Sequence, residues 1–327
     1  MKNILTNLKL LSCIILLTTG TAFSQQYSKI DNTVKNYPES FSTPEKLAEK
    51  INQDFSTDEE KVRAIFDWIA FNVRYDLGAY RDIANNGQIA YSWKSEEERI
   101  QKEFKFRRDL AAKTLKTRKG VCQGYTALFH TLCDLTGIKC IDIIGTSKTN
   151  PAHIGKLPKA SDHVWNSVKI DNSWRFIDVT WASGAIDTQS GKFVADFNDG
   201  YFFTAPEVFF LNHFPDDKKM LMLDRSEKEF AELPLYYGGY IKAGYEIASP
   251  EKGIFSANSD AIPFSVIDLP VNSNVSYVFT GDNTIRPTAV RRQGNISMFD
   301  VAMNNRARGY LTIYIDNKSI VTYKIQR

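Results

Sequence analysis

Three residue types that together attack a carbonyl occur in chain order: a cysteine at 122, a histidine at 163 and an aspartate at 178. Val121, Tyr125, Leu128, Leu132 and Leu135 recur at four and three residues, the spacing of one buried helix face, so Cys122 stands at the start of a helix. A thiol there meets unpaired backbone N–H groups and the positive end of the helix dipole, both of which favour thiolate over thiol. The same N–H groups can stabilise an oxyanion. Gly120 and Gly124 flank the cysteine and let a substrate backbone approach closely. Cys133 and Cys140 fall on an apolar helix face and a strand, where a cysteine ordinarily acts as a small buried hydrophobe.

A nucleophilic cysteine needs a base, and the base needs an orienting partner. Of the four histidines, His130 lies two turns along the nucleophile's own helix and cannot reach back. His153 sits in a polar loop, and His213, just before Phe214-Pro215, reads as structural. His163 begins one strand pattern, running to Ile170, and Asp178 lies on the next, Trp174 to Thr180. A two-residue turn at Asp171-Asn172 sets Trp165 opposite Asp178 and His163 opposite Thr180. His163 and Asp178 then share a face as diagonal neighbours, about 7–8 Å apart at Cα and within side-chain reach. A three-residue turn would put them on opposite faces.

The elements that must position these residues are legible to different degrees. Thr43-Pro44 reads as an N-cap with proline at the first helical position, followed by Leu47, Ala48 and Ile51. Thr57 with Glu60 reads as a capping box opening a helix whose apolar face is Val62, Ile65, Phe66, Ile69 and Val73. Residues 25–42 read as a loose lead-in, and 77–104 as an inserted loop or short helices. The basic stretch from Lys105 to Lys119 reads as a solvated face, or as a positive field favouring a thiolate or an acidic substrate. Gly137 closes the helix of Cys122. From about Leu233 the pattern changes to short strands, clearest at Ala261–Leu269, Val275–Thr280, Tyr310–Ile315 and Ile320–Ile325.

Lys2, Lys9, the apolar run Leu10 to Leu17 and Ala22-Phe23-Ser24 form the pattern of a cleavable secretory signal ending at Ser24. The run is shorter than the ~20 apolar residues that span a bilayer, so no integral membrane segment is expected after cleavage. Without residues 1–24 the balance is 39 basic against 38 acidic residues, which gives no reason to expect a nucleic-acid partner. Cys122, Cys133 and Cys140 remain, an odd number that leaves at least one thiol outside any internal disulfide. There is no His-x-x-x-His pair, no paired-cysteine spacing and no Asp-x-Asp-x-Asp-Gly loop, so neither metal nor cofactor is expected.

Gly120-Val121-Cys122-Gln123-Gly124-Tyr125, Asp162-His163-Val164-Trp165-Asn166 and Trp174-Arg175-Phe176-Ile177-Asp178-Val179-Thr180-Trp181 resemble the transglutaminase-like superfamily. The resemblance is nearest to the branch of kyphoscoliosis-type peptidases and their bacterial relatives. Asp67-Trp68-Ile69-Ala70 resembles the helix before the catalytic domain in that branch, and Tyr201-Phe202 through His213-Phe214-Pro215 resembles its tail. The resemblance covers roughly residues 43–220 and implies a papain-like α+β catalytic domain, taken over 43–232; the small all-β, immunoglobulin-like sandwich expected over 233–327 lies outside it and rests on the strand pattern. By position the resemblance implies Cys122 as nucleophile, His163 as base and then acid, and Asp178 as orienter. The implied activity is that of a secreted or periplasmic cysteine peptidase or amidase acting on peptides or proteins through a thioester. Amine transfer that cross-links proteins, and a non-catalytic envelope binding or scaffold protein, are the alternatives. A second oxyanion donor is unplaced, with Trp93, Trp165 and several tyrosines as contributors.

Overall fold

The Thr57 hydroxyl accepts a hydrogen bond from the Glu60 backbone N–H while the Glu60 carboxylate accepts one from the Thr57 backbone N–H, the reciprocal cap expected of that spacing. This local chemistry opens one helix of a computed structural model that describes residues 27–86, 92–187, 190–258, 260–282, 284–303 and 307–326. The signal expected over 1–24 lies outside the described residues. No helix among them is long and apolar enough to cross a membrane. The chain divides into two compact units: Met1–Ile141 with Val168–Trp174 and Ser183–Phe197, and Asp142–Ser167 with Arg175–Ala182 and Asn198–Arg327.

The first unit is mainly helical. Residues 27–35 form α1, not the loose lead-in that their polarity suggested. Ile30 and Val34, one turn apart, are buried, and Asp31 receives two hydrogen bonds from the buried Arg63 guanidinium, at 2.9 and 3.0 Å. A buried arginine needs such a partner, so α1 is held from a distance and not by its own propensity. Helices α2 (Pro44–Asp54) and α3 (Asp58–Asn72) start at the expected caps, Thr43 and Thr57. Then follow β1 (Arg74–Tyr75), α4 (Leu77–Asn86), α5 (Glu96–Thr117), β2 (Lys119–Gly120) and α6 (Cys122–Thr136). The stretch read as loop or short helices thus includes the start of a 22-residue helix, capped by Ser95 and continuing through the basic segment. Arg107, Arg108 and Arg118 pair with Asp134, Glu45 and Glu39, which partly neutralises that face.

Helix α6 is the core of this unit. Tyr125, Leu128, Phe129, Leu132 and Cys133 are fully buried. Gly124 makes the contact with α5 possible, since a Cβ there would lie 2.7 Å from Thr114 Oγ1. Gly137, at φ 81°, ends the helix in the left-handed region.

The remaining elements up to residue 215 are β3 (Cys140–Ser147), β4 (His163–Ile170), β5 (Ser173–Ile177), α7 (Val179–Ala182), β6 (Gly184–Ile186), β7 (Phe193–Ala195), β8 (Phe202–Thr204), α8 (Pro206–Phe209) and β9 (His213–Pro215). One five-stranded sheet has the order β8-β5-β4-β3-β9. Asp171 and Asn172 have φ of 46° and 64°, the two positive values of a type I′ hairpin turn, so β4 and β5 are joined by the two-residue turn expected. Strand β5 stops at Ile177, earlier than the alternation to Thr180 suggested. Asp178 turns the chain by capping α7: its carboxylate accepts from the Trp181 N–H at 3.0 Å.

Beyond residue 233 lie two further sheets. One has the order Leu235–Tyr236, Lys318–Gln326, Gly309–Ile315, Val275–Phe279, Arg286–Pro287, with Ile254–Ser256 beside Lys318–Gln326. The other runs Glu246–Ser249, Ala261–Ile267, Ile296–Ala302, Arg291–Gln293. Their inward residues, among them Phe264, Phe299, Leu311, Ile313 and Tyr323, form one apolar core. Bonds tie this β region to earlier parts of the second unit. Lys148 Nζ donates to Leu233 O at 2.8 Å, Asn212 Nδ2 to Tyr236 O at 2.9 Å and Asn198 Nδ2 to Gly238 O at 2.8 Å.

Candidate active site

Cys122 is the first residue of α6 and half-buried, and like the buried Cys133 and Cys140 it is outside any disulfide. The N-cap residue, Val121, offers no side-chain hydrogen bond, so no side chain competes for the N–H groups at this helix start. Such an end suits a negatively charged sulfur or oxygen. Cys122 belongs to the first unit; the other two expected residues belong to the second.

His163 and Asp178 meet. His163 opens β4, and Asp178 follows the last residue of β5, so the hairpin brings the two to one end of the sheet. The start of β4 is pinned by Asp162, whose carboxylate accepts from the Ser147 backbone at 2.7 Å. His163 Nε2 lies 2.7 Å from Asp178 Oδ2, with both side chains buried. The expected facing on one strand pair is therefore modified: Asp178 reaches His163 from a helix cap and not from within a strand.

A third residue joins them that the sequence reading set aside as structural. His213 opens β9, opposite Ser147 of β3, and its Nε2 lies 3.0 Å from the same Asp178 Oδ2. Its separation from Asp178 is 35 residues, and no local pattern connects the two. The only sequence signal was its place in the stretch that resembles the family's tail. The His213 ring stacks on Phe209, centroids 4.0 Å apart, and packs against Trp181 at 4.5 Å and Trp165 at 5.1 Å.

The electrostatics follow from burial and these contacts. Burial alone would raise the Asp178 pKa; the charge and hydrogen bond of His163, then the hydrogen bond of His213, outweigh it and hold the carboxyl well below the usual carboxylate range. An ionised carboxylate can only accept, so both Nε2 atoms carry their protons and Nδ1 is the other nitrogen of each ring. Burial pushes His213 down, more than Asp178 pulls it up, so its ring is held neutral. Burial and then the Asp178 charge push Tyr201 well up, which keeps its phenol protonated.

His163, Asp178 and His213 also form a group of potential metal ligands whose ligand atoms lie within 4.8 Å of one another. Both Nε2–H groups, however, converge on one carboxylate oxygen at hydrogen-bond distance, so an ion would have to displace two protons from the buried cluster. Of the oxyanion contributors considered, Trp93 is exposed, while Trp165 buries its indole N–H without a hydrogen-bond partner.

Residues 45–179 match the family model described as "Transglutaminase-like superfamily". The human kyphoscoliosis peptidase is 31% identical over 230 residues, covering 69% of this chain and 32% of that protein. Hillarin of Drosophila melanogaster is 25% identical over 239 residues, 68% of this chain and 26% of its own length. The chain thus spans about a third or less of the curated relatives it matches. A solved structure described as "Crystal structure of a TGase" aligns over 56% of this chain and 43% of its own, with 22% identity and a TM-score of 0.30.

Proposed function

The chain carries a domain of the transglutaminase-like superfamily, homologous to kyphoscoliosis peptidase, and from that premise we propose that it is an exported thiol enzyme cleaving amide bonds in peptides or proteins through Cys122, His163 and Asp178. The observation that carries this reading is the buried 2.7 Å contact between His163 Nε2 and Asp178 Oδ2. It fixes the tautomer that leaves Nδ1 to exchange a proton with a thiol. A free cysteine at a helix start without a side-chain cap supports the role of nucleophile.

The chemistry runs in two halves. The Cys122 thiolate attacks the substrate carbonyl carbon, forming a C–S bond and an oxyanion that backbone N–H groups at the start of α6 stabilise. The C–N bond breaks, the amine leaves with a proton from the His163 imidazolium, and a thioester remains. Water then attacks the thioester while neutral His163 takes its proton; the C–S bond breaks, releasing the acid and restoring thiolate and imidazolium. Asp178 keeps its negative charge throughout and orients the ring.

The reading of export rests on the charged and apolar pattern of residues 1–24, and that of a peptide substrate on the name of the human relative. Incubation with a peptide library followed by intact-mass analysis tests the proposal. The expected result is an acyl adduct at Cys122 that water discharges, absent in Cys122→Ala. Discharge only by added amines would make it a transferase, and no adduct under any condition would leave a binding protein.

A further inference from the structure

Asp178 Oδ2 accepts from two imidazoles, and the reaction uses one of them. His213 is the other: buried, neutral, and set by Phe209, Trp181 and Trp165 so that Nε2 meets the oxygen that orients His163. The opposite nitrogen, Nδ1, lies by the Phe209 backbone and makes no hydrogen bond of good geometry. A buried polar atom left unpartnered costs free energy. The fold accepts that cost at Nδ1 and keeps the bond at Nε2, so the ring is placed for what it donates to Asp178.

We propose that His213 is a positioning residue: by donating Nε2–H to Asp178 Oδ2 it keeps that carboxylate ionised and fixed, so that Asp178 supports the charged form of His163. The inference rests on the reading of Cys122, His163 and Asp178 as the reacting set. Its physical reason is the balance at Asp178. Burial favours the neutral acid, and three donors oppose it: His163, His213 and the Trp181 N–H. Without His213, one of the two bonds to Oδ2 is lost in a site that offers little water to replace it. The carboxyl is then easier to protonate, and a neutral Asp178 cannot support an imidazolium. The titratable groups facing His213 are Asp178, His163 and Tyr201, and only one negative charge is shared among them. A second imidazolium beside His163 would be repelled, so His213 serves as a donor without competing for the catalytic proton.

Iodoacetamide alkylation of Cys122 in the full chain, followed by mass spectrometry across pH, tests this without knowledge of the substrate. A thiolate–imidazolium pair reacts at mildly acidic pH, where an ordinary thiol of pKa about 8.5 scarcely does. His213→Phe keeps an aromatic ring but removes the donor. It should lose about 10-fold or more of the rate near pH 6 and move the profile toward alkaline pH by about a unit. His213→Gln, whose amide nitrogen reaches about as far as Nε2, should restore the wild-type profile. His213→Asn, whose nitrogen falls short, should behave like the phenylalanine variant and serves if that one does not fold. Wild-type profiles in folded Phe and Asn variants would overturn the proposal, as would equal damage in the Gln variant, which would mean that the ring's packing and not its N–H matters. Asp178→Asn separates the levels. If it shifts the profile while the Phe and Asn variants do not, only the role of His213 fails; if it too leaves the profile unchanged, the catalytic reading falls and this inference with it.

Discussion

The Trp181 indole stacks on the His163 imidazole, with ring centroids 5.5 Å apart and 28° between the planes. Trp181 also donates its backbone N–H to Asp178 Oδ1, so one residue holds both the ring and the carboxylate that orients it. Trp181→Ala keeps the backbone bond but frees one face of the imidazole. We expect a loss of about 10-fold to 100-fold in kcat with little change in KM, because misplacement of a catalytic group by about 1 Å is enough for that. Trp181→Phe should recover most of the rate. Steady-state kinetics on one small amide substrate would check this, and an alanine variant as fast as wild type would dismiss the stacking as incidental.

The three cysteines should separate by readout. Cys122→Ala removes a half-buried side chain at a helix start and should leave the melting temperature nearly unchanged while abolishing thioester formation. Cys133 is fully buried within α6, so Cys133→Ala should cost about 1–2 kcal/mol of stability and leave chemistry intact. Thermal melts paired with acyl capture would measure both; full turnover by Cys122→Ala would remove it as the nucleophile.

Stability should fall as the solution is acidified, for two separable reasons. The folded pKa of Asp178 is depressed, so its contribution is complete above the unfolded value of about 3.9 and is lost as pH falls through the folded value. His213 is held neutral by burial, so below about pH 6.5 the unfolded chain takes up a proton that the folded chain refuses, and stability drops there first. Chemical denaturation between about pH 7.5 and pH 2 should show both phases in wild type, that of His213 above that of Asp178. His213→Gln should flatten the upper phase alone. A slope between about pH 6.5 and pH 5 that is identical in the two proteins would mean that His213 is not the group responsible.

The boundary expected near residue 233 is crossed by hydrogen bonds that an early stop codon would remove. The bonds from buried Lys148 to Phe230 O at 2.5 Å and Leu233 O at 2.8 Å, with its ammonium over the Phe230 ring, are not among them, since a stop after Leu233 keeps both acceptors. Ending the chain after Leu233 removes Tyr236 and Gly238, the acceptors of Asn212 and Asn198. Asn212 directly precedes His213, so its loss of a partner should reach the histidine cluster. We expect the shortened protein to melt lower than the full chain and to alkylate Cys122 more slowly near neutral pH. Lys148→Met in the full chain should separately cost about 1–3 kcal/mol, since it strands buried carbonyls. Unchanged melting and alkylation in the shortened protein would establish that the chain up to Leu233 folds and reacts without the β region.

What the sequence determined by itself was local. The caps at Thr43 and Thr57, the helix starting at Cys122 and the two-residue turn at Asp171-Asn172 each depend on residues within about one turn or one hairpin of each other, and their periodicity or φ preference is written into neighbouring positions. Because the turn set the hairpin's register, the His163–Asp178 partnership could also be read, although Asp178 proved to be a helix cap. The tertiary structure alone decided the rest. Helix α1 has a polar sequence and is held through Arg63, 32 residues away from Asp31. His213 meets Asp178 only because β9 lies beside β3 at the same end of the sheet, an adjacency formed by backbone hydrogen bonds that no spacing of side chains announces. A buried polar side chain must find its partner somewhere in the fold, but sequence distance does not say where, so the second imidazole on the carboxylate could be found only in three dimensions.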